Sequence, residues 1–162
     1  MEYWRKFRNY KQRGEWVELL FMAQAALHGF IISKPWGDCS AYDVGIELGQ
    51  LFLRVQVKST SVRYRAGYLC HFHRSENSRK PYTLDMVDVF AAYVIPEGTW
   101  YLIPASVILK PKPKVGVMLH PIDAQKQQSY KYEHYREAWG LLGKSREELA
   151  TMAKRKSKSC VL

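Results

Sequence analysis

Between Asp43 and Ser59 the chain alternates residue by residue. Val44, Ile46, Leu51, Leu53, Val55 and Val57 are aliphatic, and Asp43, Gly45, Glu47, Phe52, Arg54, Gln56 and Lys58 stand between them. A period of two predicts a pair of half-buried strands. Leu48-Gly49 predicts a two-residue hairpin turn, which sets Glu47 against Gln50 and Asp43 against Arg54. Residues opposed across a ladder share a face, as do residues two apart on one strand. Asp43, Gln56 and Lys58 are therefore expected on one face, with Asp43 diagonal to Gln56 at roughly 7–8 Å. The aliphatic residues fall on the other face, toward a core. A three-residue loop would place Asp43 among them, which argues against that register.

Other patterns flank this hairpin. Val17, Leu20, Phe21, Gln24, Leu27 and His28 recur at helical spacing, and Gly29 marks the stop. Phe30 to Ser33 reads as a short strand, and Lys34 to Asp38 as a turn-rich loop. Val62 to Lys80 is basic and reads as irregular. Val87 to Ile95 is a strongly apolar strand, turned by Pro96-Glu97-Gly98 into a returning strand, Trp100 to Pro104. Ala105 to Leu109 suggests a helical turn, Lys110 to Lys114 an extended basic connector, and Val115 to Leu119 an edge strand. Tyr130 to Leu142 and Ser145 to Lys156 read as two helices. The second opens on a capping box, Ser145 with Glu148 three residues later. The order predicts an α+β (or α/β) mixed sheet flanked by helices. A single domain over residues 1–162 is expected, with a core about 14–104 and a C-terminal helical extension about 128–158.

Charge narrows the partner. Lys and Arg number 25 against 15 Asp and Glu in 162 residues, a formal net charge of +10. That excess favours a polyanion, nucleic acid before an anionic membrane surface. Met1 to Arg13 has no apolar stretch of the secretory type, and no run is long enough to span a bilayer. The three cysteines, Cys39, Cys70 and Cys160, are too scattered for a disulfide framework. A cytoplasmic, reducing setting is expected. Cys70, His71 and His73 have no second ligand pair at zinc-site spacing. Trp100, Tyr101 and Trp139 are expected in the core or an interface.

The hairpin carries the chemical proposal. A carboxylate at the start of one strand and a polar-x-Lys at the end of the next can build a metal-dependent phosphodiesterase site. The hairpin is read together with Glu18, upstream on the predicted helix. The basic segments suit a backbone-binding role, since Lys and Arg on phosphates supply affinity and register. The candidates are Arg5, Arg8, Lys11 and Arg13 before the helix, and Arg63, Arg65, Arg74 and Arg79 after Lys58.

These residues fall in an ordered set. Gly14-Glu15-x-x-Glu18 is followed by His28-Gly29-Phe30, Pro35-x-Gly37-Asp38-x-x-x-Tyr42-Asp43 and Val55-Gln56-Val57-Lys58-Ser59. The set resembles the PD-(D/E)XK nuclease superfamily, and within it the bacterial group I intron-encoded homing endonuclease family, which has Gln in the lysine motif. Asp85-x-x-Asp88-Val89-Phe90 and Trp100 to Pro104 are similar to that family too. The resemblance runs from Gly14 to Pro104.

The resemblance implies a restriction-endonuclease-like fold and a metal-dependent DNA endonuclease of prokaryotic or phage type. Asp43 would be the central ligand of Mg²⁺ or Mn²⁺, with the Gln56 amide oxygen, the Val57 carbonyl and Glu18 as further oxygen donors. Lys58 would orient the attacking water and offset charge on the phosphate. Gln56 lacks the negative charge of the usual acidic residue, so Glu18 would have to compensate. Double-stranded DNA would be the substrate, and a homo-oligomer, dimer or tetramer, would be needed to cut both strands. Two other readings use the same residues: a silent DNA-binding module that keeps the fold, and a nuclease acting on junctions or damaged DNA. Asp38 is expected to cap or turn its loop, Glu15 to be solvated, and Asp88 to line the cleft or pair with Lys or Arg.

Overall fold

The structure is a computed structural model that describes residues 7, 9–37, 39–74, 80–122 and 130–152. Helix α1 (Tyr10–Leu27) is capped by Asn9, whose side chain accepts from the Gln12 backbone N–H. It runs through Gly14, so it starts earlier than the apolar spacing suggests. Only Val17, Phe21 and Ala25 are buried along it. Gly29, at φ +85°, takes the left-handed conformation that ends the helix.

Strands β1 (Ile31–Ser33), β2 (Val44–Leu48) and β3 (Leu51–Thr60) follow, then β6 (Val89–Val94) and β7 (Thr99–Pro104). They form one sheet in the order β1-β2-β3-β6-β7. Its β3–β6 pair is parallel and the other pairs antiparallel. This is the mixed sheet flanked by helices expected from the pattern. Val44, Ile46, Leu53, Val55 and Val57 are buried, as the alternation requires.

The hairpin register differs from expectation. Leu48 pairs with Leu51, so the linking residues are Gly49 and Gln50. Gly49 sits at φ +59°, a conformation that primed hairpin turns demand and glycine adopts without strain. Gly45, not Asp43, therefore stands opposite Arg54. The slip is two residues, so every side chain keeps its face.

The described part of Val62 to Lys80 is more ordered than predicted. Strands β4 (Arg63–Tyr64) and β5 (Gly67–His71) form a hairpin, and β8 (Gly116–Leu119) joins β5 to complete a second sheet. Phe72 and Tyr82 then pack edge-on to Phe90, with ring centroids 5.0 and 5.4 Å away. On the opposite side, Phe21 of α1 meets Trp100 and Trp139, at 5.4 and 5.7 Å. The sheet is thus covered on both faces.

The predicted helix over Tyr130 to Leu142 is absent. Two 3-10 turns, Glu133–Tyr135 and Trp139–Gly143, replace it. Glu137, at φ +48°, breaks the helix because its backbone N–H donates to Trp100 O while its carboxylate accepts from Trp100 N. Pairing with β7 overrides local propensity here. Helix α2 (Ala105–Leu109) lies where expected, and α3 (Arg146–Thr151) carries the predicted capping box. Within residues 128–158 the described part is therefore mostly turn, with one short helix.

Asp88 pins α3 to the sheet. Its Oδ2 accepts from Arg54 N and Nε, at 2.9 and 3.0 Å, and its Oδ1 from Arg146 Nε, at 2.8 Å. It pairs with arginine and does not line the cleft of Asp43. Burial pushes its carboxyl upward, but the Arg54 side chain and backbone and Arg146 outweigh this and hold it below the usual range. A lowered pKa stabilises the fold above the ordinary carboxylate range and loses that effect as pH falls through the folded value. Asp88→Ala leaves Arg54 without its partner and is expected to destabilise by about 3–5 kcal/mol. Urea melts at neutral pH measure this, and a loss under about 1 kcal/mol would mean the clasp is an ordinary surface pair.

Candidate active site

The site forms where β2 stops pairing with β3. The ladder's last rung is Val44 opposite Val55. Asp43 lies one residue beyond, its own N–H still donating to Val55 O at 2.9 Å. From there its carboxylate reaches across to β3: Oδ2 accepts from Val57 N at 2.8 Å and from the Gln56 amide Nε2. The carboxylate thus satisfies a backbone donor that β2 no longer serves.

A cleft of about 270 Å³ opens at this point. Gly14 and Glu18 of α1 form one wall, and Asp43, Gln56, Lys58 and Ser59 contribute to the other. Gln56 and Lys58 come from one face of β3, and Val57 and Ser59, which also line the cleft, from the other. The site is therefore a gap between diverging strands rather than a flat polar face. This explains how Glu18 joins it, although α1 packs on the aliphatic side. Gln56 is only 6% exposed, far from the solvated residue that a surface hairpin would place there. Lys58 Nζ stands 5.3 Å from the centroid of the Tyr82 ring.

The expected catalytic residues Glu18, Asp43, Gln56 and Lys58 all meet in this cleft, and Val57 supplies its N–H to Asp43. One participant was not foreseen. Lys34 Nζ lies 2.5 Å from Glu18 Oε2. The antiparallel pairing of β1 with β2, Ser33 opposite Gly45, brings the residue after β1 toward the start of β2. In the sequence Lys34 looked like part of a turn, and only that pairing could have revealed it.

Other predicted residues are dispersed. Lys11 is exposed on the first turns of α1, and Arg63 and Arg65 are exposed in the β4–β5 hairpin. Arg13 and Arg74 line a separate pocket beside Lys58. Glu15 is exposed, as expected. Arg5, Arg8, Asp38 and Arg79 lie outside the described residues.

Asp43 is the electrostatic focus. Burial first, and the nearby Glu18 second, raise its pKa from 3.8 to about 6, against the opposing pull of Val57 N–H, Lys58 and Gln56. Two carboxylates sharing a partly buried cleft want a cation. The donors present are hard oxygens: two carboxylates, the Val57 carbonyl and the Gln56 amide oxygen, a set that fits Mg²⁺ or Mn²⁺. Gln56 now turns its nitrogen to Asp43. Its oxygen reaches a cation once the amide rotates about its terminal torsion, which is a soft, two-fold coordinate. Among the described residues no three His, Cys, Asp or Glu side chains converge on one point. The amide and the backbone carbonyl would have to complete the coordination.

A family model described as PD-(D/E)XK endonuclease matches residues 8–142. Among solved structures, a bacterial homing endonuclease, I-Ssp6803I, superposes with a TM-score of 0.71 at 24% sequence identity. The match covers 95% of this chain and 99% of that one. The restriction-endonuclease-like fold expected from the sequence is thereby shown. No curated protein matches the sequence significantly. No helix among the described residues is long and apolar enough to cross a membrane.

The raised pKa has a consequence for stability. An acid whose folded pKa exceeds its unfolded value makes the folded state bind more protons, so stability falls as pH rises between about 4 and 6. Above that window the full penalty applies. Asp43→Asn keeps an acceptor for Val57 N–H and removes the charge. In the absence of divalent ion it is expected to stabilise the protein by about 1–2 kcal/mol at neutral pH, raising Tm by several degrees. The gain should vanish below about pH 4. Thermal melts across pH check this, and an Asn variant less stable than the parent at neutral pH would contradict it.

Proposed function

Because the chain belongs to the PD-(D/E)XK endonuclease family, we propose that it is a metal-dependent endonuclease that hydrolyses phosphodiester bonds in double-stranded DNA. The observation that carries this reading is the convergence of Glu18, Asp43, Gln56 and Lys58 in one cleft at the splayed end of a strand pair. When bound, Mg²⁺ or Mn²⁺ would supply Lewis-acid charge to the phosphate and to the attacking water. Asp43 holds the cation's locus and is itself held by Val57 N–H. Glu18 adds the second negative charge that Gln56 lacks. Lys58 orients the water and neutralises charge developing on the phosphoryl oxygens. Lys34, now on Glu18, keeps that carboxylate paired until a cation or substrate competes for it.

The exposed cations Lys11, Arg63 and Arg65, together with Arg8 and Arg79, suit contacts to the sugar-phosphate backbone, which fix register without reading sequence. Cutting both strands calls for a second copy of the chain, since one cleft serves one strand. A homing-type role fits the likeness to a homing endonuclease. The silent-module reading is less well supported. A module that only binds DNA has no use for a buried carboxylate kept against an unfavourable pKa shift.

Incubation of a randomised duplex library with Mg²⁺ or Mn²⁺ tests the assignment. Cleavage is expected, with Asp43→Ala and Lys58→Ala each lowering it by at least about 100-fold. Cutting that survives both substitutions would reject this cleft as the active site. Below about pH 6 the apparent metal affinity should fall about tenfold per pH unit as Asp43 takes up its proton. A metal titration followed by calorimetry at several pH values reads this directly.

A further inference from the structure

A second cleft adjoins the first and has the opposite electrostatic character. Its volume is about 380 Å³, within the range of a ligand-sized site. Tyr10 and Arg13 of α1 form one side, Lys58 and Ser59 of β3 the floor, and His71, His73 and Arg74 the far side. Among the described residues no carboxylate lines it, whereas Glu18 and Asp43 line its neighbour. Lys58 and Ser59 belong to both clefts, so the two meet at Lys58, the residue proposed to face the scissile phosphate.

The polar groups of this pocket are not all spent within the protein. Arg13 Nε is buried and has no hydrogen-bond partner among the described residues, although the guanidinium lies 5.0 Å from the Tyr10 ring centroid. A buried unsatisfied donor on a cation is costly, and such groups are rare without a reason. Thr60 Oγ1, by contrast, is fully engaged, donating to Leu69 O at 2.7 Å and accepting from Val62 N at 3.2 Å. Arg74 is placed by the backbone, its N–H donating to Lys80 O at 3.0 Å, and His73 bridges Pro81. The His71 and His73 rings lie 5.6 Å apart. Cationic donors and imidazoles, with no acid among the described lining residues, suit a phosphate group.

We infer that this basic pocket binds the phosphodiester next to the scissile one on the same strand, with Arg13 Nε and the Arg74 guanidinium as its donors. The inference rests on the nuclease reading above and extends it to a second cleft, which His71 and His73 also line. The strand would cross from the acidic cleft into the basic one at Lys58. Arg13 then fixes the register of the scissile bond over Asp43, as a positioning residue.

The test follows the Arg13 Nε–H resonance in the native protein, without divalent ion so that no cutting occurs. A short duplex is titrated, and binding is read in parallel by fluorescence anisotropy. The resonance should shift in step with duplex occupancy. Arg13→Gln should lower the slope of log Kd against log salt by about 1. Duplex binding with an unmoved resonance and an unchanged slope would overturn this pocket while leaving the nuclease assignment intact. Saturation of the resonance by inorganic phosphate that duplex does not displace would make it a free-anion site and also overturn the inference. No duplex binding at all would overturn both readings.

Discussion

The whole site depends on β2 parting from β3 after a single last rung. In a continuous ladder Val57 N–H would be satisfied by backbone. Here the Asp43 carboxylate takes it, and the gap between the strands becomes the cleft. The substitution of a charged acceptor for a neutral one places a negative charge where burial disfavours it. It also lets residues from both faces of β3, and Glu18 from α1, reach one point. Position and electrostatic tension therefore have the same cause.

Two aspartates show how this protein uses buried charge in opposite senses. Asp88 is enclosed by Arg54 and Arg146, and its pKa is lowered. It ties β3, the start of β6 and α3 together, and its ionisation favours the fold. Asp43 is opposed by burial and then by Glu18, and its pKa is raised. Its ionisation works against the fold and favours a cation. The first belongs to the scaffold and the second to the candidate site, although both sit beside the same strand. Lys34 moderates the second case by pairing with Glu18 from the edge strand.

Much of this was legible in the sequence because period-two alternation survives an even slip. Asp43, Gln56 and Lys58 came out on the correct side even though the turn is Gly49-Gln50 and not Leu48-Gly49. The resemblance to nucleases supplied Glu18, which spacing on a helix could not single out. What escaped reading depended on distant partners. Gln56 is buried because Phe72 and Tyr82 pack onto Phe90, the residue paired with it on β6. The helix predicted from Tyr130 gave way to the bonds of Glu137 with Trp100. The β4–β5 hairpin escaped because β4 is only two residues long and Gly67–His71 shows no clear hydrophobic alternation. Lys34 reaches Glu18 only through an edge pairing that no local pattern announces.

The most direct measurement is the titration of the Asp43 side-chain carbon by NMR, with and without Mg²⁺. The account predicts a midpoint near 6 in the metal-free protein, displaced to lower pH when Mg²⁺ is in excess, and lowered also in Glu18→Gln without metal. A midpoint at the ordinary aspartate value of about 4, unmoved by Mg²⁺ and by the loss of Glu18, would contradict it.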